Sequence, residues 1–452
     1  MASAFYTARK TIRSYTNSGN VLIIATILAL ITVNLPGLKD FYNSLWTNNL
    51  SLQIGSFNLF SNHGRPMSIM AFINDALMAV FFFYVGLGIK REVIVGELSS
   101  PRNAILPIIA TIGGMMMPVL FYSLLAQGTE YEKGWAIPMA TDIAFSLGVL
   151  SLFGKRVPIS LKVFLTTLAV VDDIGGILVI AIFYTNSIDM TFLIWAAGYI
   201  AILVAGSFLG IRSKLFFAFF GIFVWFFFLN AGIHPTIAGV VVAFTIPAKP
   251  VSAPKNFVKI IRKNISYFSR EDDETLNSRT ILDKDQMNWL KEIETASDKV
   301  ISPLQDMEDT LKPLVNYIIV PLFAFANAGI YFGDMEISQL FHGIAPTIIL
   351  ALVLGKFLGI FTFSWLAIKS GIALMPVGAN WARLASVSML GGIGFTVSLF
   401  IANLSFGTGD PILLSLLNDS KLGILVGSLT ASIVGWILLR ITLVKNPQDE
   451  QA

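Results

Sequence analysis

Ala169-Val-Val-Asp-Asp-Ile-Gly-Gly176 sets two adjacent carboxylates, Asp172 and Asp173, inside the otherwise apolar run 159–184. A run of that length is long enough to cross a bilayer as a helix, which needs about 20 residues. An ionised side chain at mid-bilayer costs about 3 kcal/mol or more, so it is retained mainly where it faces a cavity, a partner or an ion. Working outward, further apolar stretches fall at 21–36, 68–89, 104–126, 135–153, 190–210, 215–231, 233–247, 313–332, 343–367, 381–404 and 420–443. The pattern predicts an all-α polytopic membrane protein with about 12 transmembrane helices.

Composition agrees. Of 452 residues 55% are hydrophobic and only 13% charged, and 248–312 alone holds 11 basic and 12 acidic groups. An ordinary soluble enzyme is excluded. Nucleic acid is an unsuitable partner despite the net charge of +3, because the basic residues sit in short gaps between apolar runs and form no basic face. With no cysteine, disulfides, Cys-type zinc sites, iron–sulfur clusters and thiol catalysis are ruled out, and no cofactor is expected.

Assigning the gaps alternately to two sides puts 26 Lys and Arg on the side of the N-terminus and four (Lys39, Arg65, Lys133, Lys421) on the other. Both termini are therefore expected in the cytoplasm. Arg9, Lys10 and Arg13 precede the first run, yet no small-x-small cleavage site follows, which favours an anchor over a cleaved signal. The expected organisation is a cytoplasmic N-terminus 1–20, helices 1–8 in 21–247, a charged cytoplasmic loop 248–312, helices 9–12 in 313–443 and a cytoplasmic tail 444–452. Residues 50–60 alternate around Gly55-Ser56, the pattern of a small external β-hairpin. Its edges could pair with a second subunit, giving a homodimer. The loop 248–312 reads as a solvated linker carrying one amphipathic helix through Leu282, Leu290, Ile293 and Val300.

A faint internal repeat matches Ile143-Ala-Phe-Ser-Leu147 to Ile393-Gly-Phe-Thr-Val397. Each copy lies in a span interrupted by helix-unfriendly residues, Pro138 in one and Gly391, Gly392 and Gly394 in the other. The matched spans run in opposite directions by the charge count. Inverted repeats with two interrupted, crossing helices are the arrangement that places a transporter's site near the midplane.

Three more ionisable groups lie in spans: Asp75, Asp142 beside Thr141 next to the break, and Lys356 in Leu354-Gly-Lys-Phe-Leu-Gly359. Two carboxylates as close as Asp172 and Asp173 cannot both be ionised cheaply, so the pair can trade protons for a hard monovalent cation. The plain structural reading has one aspartate salt-bridged to Lys356 and the other hydrogen-bonded in the bundle. Asp142 and Lys356 also suit the opposed half-dipoles of a broken helix. Asp75 reads equally as a packing residue beside Asn74 and Ala76. His234 sits at a helix junction, where a hydrogen-bonded role is commoner than a ligand role, although its titration range makes it a possible pH reporter.

With these residues in place the chain resembles the NhaA-type sodium/proton antiporters from about 18 to 443. The likeness runs through Ile73-Asn-Asp-Ala-Leu-Met-Ala-Val80, Gly134-Trp-Ala-Ile-Pro138, Ala140-Thr-Asp-Ile-Ala-Phe145, the Asp172-Asp173 pair, Pro321-Leu-Phe-Ala-Phe-Ala-Asn-Ala-Gly329, Gly355-Lys356 and Gly392-Ile-Gly-Phe-Thr396. The resemblance implies that Asp172 and Asp173 bind Na⁺ or Li⁺ and protons, that Asp142 and Thr141 border the site, and that Lys356 pairs with Asp172. It also implies electrogenic exchange in the bacterial cytoplasmic (inner) membrane for sodium and pH homeostasis, with Arg91 and Glu92 in the pH response. Two departures are Gly88, where the family pattern carries an acidic residue, and the length of the loop 248–312. The competing readings are a sodium-coupled symporter of an organic solute and an intramembrane aspartyl protease. The first needs a polar solute pocket, and the second needs Tyr-Asp and Gly-x-Gly-Asp contexts, whereas Asp142 follows Thr and Asp172 follows Val.

Overall fold

The computed structural model describes residues 18–55, 57–62, 65–185, 188–250, 252–268, 281–333, 341–407 and 410–443. The basic N-terminal residues, Ser56 of the expected hairpin turn, His63, the acidic run 271–274 and the tail from 444 lie outside the described residues.

The described residues are mostly helical, because long apolar runs must satisfy their backbone internally. Helix α1 (Ser18–Asn34) is followed after a 114° bend by α2 (Lys39–Thr47). Five short strands follow: β1 (Asn49–Leu50), β2 (Gln53–Ile54), β3 (Phe57–Asn58), β4 (Ser61–Asn62) and β5 (Arg65–Ser68). β2 pairs antiparallel with β3 over two residues, and β5 pairs antiparallel with both β1 and β4. The next helices are α3 (Ile69–Ile94), begun by the Ser68 side chain accepting from the Ala71 N–H, and α4 (Pro101–Ala126). A 3-10 segment (Glu132–Met139) leads through an extended break to α5 (Ile143–Ser151). Helices α6 (Ile159–Phe183), α7 (Met190–Phe208), α8 (Lys214–Ala231) and the short α9 (Thr236–Thr245) come next.

Two amphipathic helices, α10 (Pro254–Phe268) and α11 (Lys284–Val300), precede α12 (Pro303–Asn327). α13 (Ile344–Lys369), the bent pair α14 (Trp381–Leu390) and α15 (Phe395–Phe406), and α16 (Pro411–Thr442) complete the chain. Among the described residues nine helices are long and apolar enough to cross a membrane, or eleven if each bent pair is one span. Each of the twelve expected stretches contains helix, although α9 has only ten residues and falls short of a span.

Two expectations need correction. The region 248–312 holds two helices and the first turns of a third. The Asp283 side chain and Gln286 form a capping box at the start of α11, and Ser302 caps α12 with Pro303 in the first turn. The last span begins at Pro411, so Lys421 lies inside α16 and is only 8% exposed, not in an external gap.

Small residues set the packing that positions the site. A β-carbon on Gly359 of α13 would overlap the Gly113 carbonyl oxygen of α4, and one on Gly113 would overlap that of Gly359. The two backbones meet there as in small-xxx-small helix pairs. The contact fixes α13 one turn beyond Lys356. That lysine directly follows a π-helical turn (Ala351–Gly355), a feature often found where a helix re-aims a functional side chain.

Candidate ion-binding site

The site is built where two chain breaks cross. Ala140 and Asp142 are extended between the 3-10 segment and α5, and residues 391–394 separate α14 from α15. The Asp142 N–H donates to the Ile393 carbonyl at 2.6 Å. Ser146 Oγ of α5 donates to the Leu390 carbonyl at the end of α14, and Ser398 Oγ of α15 donates to the Ile137 carbonyl of the 3-10 segment. Each second half therefore lies beside the first half of the other, as two broken helices crossing in opposite directions require. A β-carbon on Gly394 would approach the Ala140 carbonyl oxygen to 2.9 Å, so this crossing needs glycine.

Such a crossing leaves two positive helix N-termini and two negative C-termini in low dielectric. Asp142 serves both N-termini. Its Oδ1 accepts from the Phe145 N–H of α5 at 3.1 Å, and its Oδ2 accepts from the Thr396 N–H at 3.1 Å and the Thr396 hydroxyl at 2.6 Å on α15. Lys356 is linked to a C-terminus. Its ammonium, fully buried, donates to Thr141 Oγ1 at 2.7 Å, and that hydroxyl donates to the Gly391 carbonyl just after α14 at 2.9 Å. The same ammonium donates to Asp172 Oδ2 at 2.6 Å.

Asp172 and Asp173, neighbours on α6, have different surroundings. Asp172 is held behind the crossing by Lys356, and its Oδ1 is buried without a hydrogen-bond partner among the described residues. Asp173 lines a cavity of about 500 Å³ together with Thr141, Asp142 and Thr396. No group of three His, Asp or Glu side chains suited to a resident metal occurs among the described residues.

The other end of this cavity is lined by Gly88, Arg91, Glu308 and Lys312. Arg91 pairs with Glu308 at 2.6 Å and with Glu92 at 3.2 Å. Gly88 has Glu308 above it: a β-carbon at position 88 would lie 3.9 Å from Glu308 Oε1. The Glu308 carboxylate of α12 thus stands beside position 88 of α3. Sequence reasoning missed Glu308 because it stood among many other charges, although Ser302-Pro303 marked a helix start that would have placed it on a span. It also assigned no role to Thr396.

His234 and Asp75 are placed elsewhere. His234 Nδ1 and Thr236 Oγ1 are hydrogen-bonded at 2.8 Å at the α8–α9 junction, and Nε2 lies 3.9 Å from Asp75 Oδ1. Neither residue lines the cavity. Asp75 packs between helices, its carbonyl accepting from Trp225 Nε1 at 3.2 Å, and beside it Asn74 Oδ1 accepts from Asn327 Nδ2 at 2.9 Å, while Asn327 Oδ1 accepts from Asn403.

Replacing Asp142 separates capping from charge. Asp142→Ala leaves the Thr396 N–H and hydroxyl and the Phe145 N–H without their acceptor, at about 1–3 kcal/mol for each buried group left unpaired. Its melting temperature in detergent should drop clearly, and that of Asp142→Asn, which keeps an acceptor oxygen, should drop less. Equal melting of both variants and the parent would show that the crossing does not depend on this cap.

A family model described as Na+/H+ antiporter 1 matches residues 9–439. Among curated relatives, the Na(+)/H(+) antiporter NhaA of Phocaeicola vulgatus is 52% identical over 439 residues, covering 96% of this chain and 95% of the relative. The protein of the same name from Bacteroides fragilis is 50% identical over 427 residues, 94% of this chain and 95% of the relative. That from Parabacteroides distasonis is 48% identical over 430 residues, 95% and 94% respectively.

Proposed function

From the premise that the chain belongs to the Na+/H+ antiporter 1 family, we propose that it exchanges cytoplasmic Na⁺ or Li⁺ for external protons at Asp172 and Asp173. The observation that carries this reading is the placement of the two neighbours: Asp173 at the inner end of a cavity, Asp172 behind it on the Lys356 ammonium. A cation entering the cavity meets a carboxylate with no other partner among the described residues. Its charge can be accepted only if protons leave the same oxygens, so cation and proton compete and exchange is obligatory.

Asp142 and Thr141 border the site and hold the crossing, and Arg91, Glu92 and Glu308 form a charged mouth. The face of that mouth carries the excess of Lys and Arg, so it is assigned to the cytoplasm. More protons than cations per cycle would make the exchange electrogenic. The short strands between 49 and 68 offer the edges for a homodimer. Neither rival reading is favoured: Asp142 spends both oxygens on helix N-termini, which removes it from any proteolytic dyad with Asp172, and the inner end of the cavity holds acids and hydroxyls suited to a small cation.

Everted membrane vesicles with a pre-formed ΔpH should lose it when Na⁺ or Li⁺ is added. The apparent KM for Na⁺ should rise as pH falls, because protons occupy the oxygens the cation needs. Absence of any ΔpH loss from mildly acidic to alkaline pH would overturn the proposal.

A further inference from the structure

The helical pair α10–α11 contributes no residue to the cavity that Asp173 lines. The Ser252 N–H donates to the Lys299 carbonyl and the Leu304 N–H to the Pro247 carbonyl, closing the base of the pair. Between α10 and α11, the buried Asn264 donates from Nδ2 to Glu292 Oε2 at 3.1 Å, and Tyr267 stacks on Trp289. Only Ile301 and Ser302 separate α11 from α12, the helix that carries Glu308 to the cavity mouth.

With that side of α10 covered by α11, the other side carries Lys255, Val258, Lys259, Arg262 and Ile265 at helical spacing. All five are exposed, including the apolar pair Val258 (45%) and Ile265 (52%). A shallow groove of about 410 Å³ runs along Pro254, Lys255, Val258, Lys259 and Arg262. Basic residues continue towards the membrane helices: Arg212, in the α7–α8 turn, donates to the Lys249 carbonyl at 2.9 Å, and Lys90 of α3 donates to the carbonyls of Phe244 and Ile246. Eight residues separate the end of the apolar helix α9 from the start of α10.

We propose that α10 is an interfacial helix whose Lys255, Lys259 and Arg262 bind the anionic headgroups of the bilayer that holds the protein, with Val258 and Ile265 entering the headgroup layer. Alternating cationic and apolar side chains on one face fit a bilayer surface: the ammonium and guanidinium groups meet phosphates while aliphatic stems and branched side chains lie in the interface. An acidic polypeptide would use the charges but leave Val258 and Ile265 without a complementary surface. The face is continuous with the ends of membrane helices, which makes lipid its nearest anion. Because α11 joins α12 almost directly, a lipid hold on α10 fixes the segment that delivers Glu308. The inference does not depend on the transport reading.

The natural absence of cysteine allows single labels with no other change. Full-length Val258→Cys carrying an environment-sensitive fluorophore is placed in nanodiscs of phosphatidylcholine, alone or mixed with phosphatidylglycerol, containing a spin-labelled lipid quencher. Thr295→Cys on α11, labelled alike, is the control. The expected result is quenching at 258 that appears as phosphatidylglycerol is added and stays absent at 295. Lys255→Gln, Lys259→Gln and Arg262→Gln together should abolish it, since each basic group near an anionic surface is worth about fivefold in partitioning. Quenching equal in both lipid mixtures would overturn headgroup recognition. No quenching in either would leave the face to solvent or to an acidic polypeptide, and the proposal falls. Circular dichroism and melting of the labelled variants, matched to the parent, exclude misfolding as the cause.

Discussion

Asp173→Asn protein is expected to lose exchange almost completely while melting no lower than the parent. Asp173 is a buried carboxylate that accepts no hydrogen bond among the described residues and faces the cavity, so its charge contributes nothing to packing. Removing such a charge relieves a burial cost. A cation about 4 Å from a carboxylate gains about 4 kcal/mol at an effective dielectric of 20, close to a thousandfold in affinity. Calorimetric titration of purified protein with Na⁺ or Li⁺ should therefore show no heat and no proton release in the variant at concentrations that saturate the parent. Retention of near-parental Na⁺ binding would remove Asp173 from the site. A collapse of melting temperature would instead make it a structural residue.

How much of this was visible beforehand follows from contrast. Asp142, Asp172, Asp173 and Lys356 stood out because each interrupts an apolar run, where any charge must have a reason. The crossing was legible from Pro138 and from Gly391, Gly392 and Gly394, residues that break helices or let backbones meet, and Gly394 is used for that close approach. The partition of roles between Asp172 and Asp173 was not legible. Adjacent residues on a helix point about 100° apart, and which one meets Lys356 depends on how α6 and α13 are rotated, which packing at positions such as Gly113 and Gly359 decides. Glu308 was hidden for the opposite reason. In a segment already dense with Lys, Asp and Glu one more acid carries no signal, and only the cap at Ser302-Pro303 distinguishes it. The same density concealed α10, whose pairing with the expected α11 rests on the buried Asn264 and the Tyr267–Trp289 stack more than on any long apolar run.

The second large effect concerns the pair behind the cavity. Lys356 and Asp172 are both almost completely buried and joined at 2.6 Å. Removing one partner of a buried pair leaves the other charge uncompensated, at about 3–5 kcal/mol, whereas replacing both by neutral groups is often tolerated. Lys356→Met should therefore melt well below the parent and transport poorly. The loss should shrink as pH falls, because a proton can neutralise the stranded Asp172; it should be largest at alkaline pH, where Asp172 stays ionised. Asp172→Asn should also melt lower, since it strands a buried ammonium, in contrast to Asp173→Asn. Combining Lys356→Met with Asp172→Asn removes both charges, so the double variant should recover much of the stability lost by either single change while still failing to exchange Na⁺. Thermal scans of the four proteins across pH give the coupling directly. Additive losses with no recovery in the double variant would show that the two side chains act separately, and the close contact between them would then have no energetic role in holding Asp172 behind Asp173.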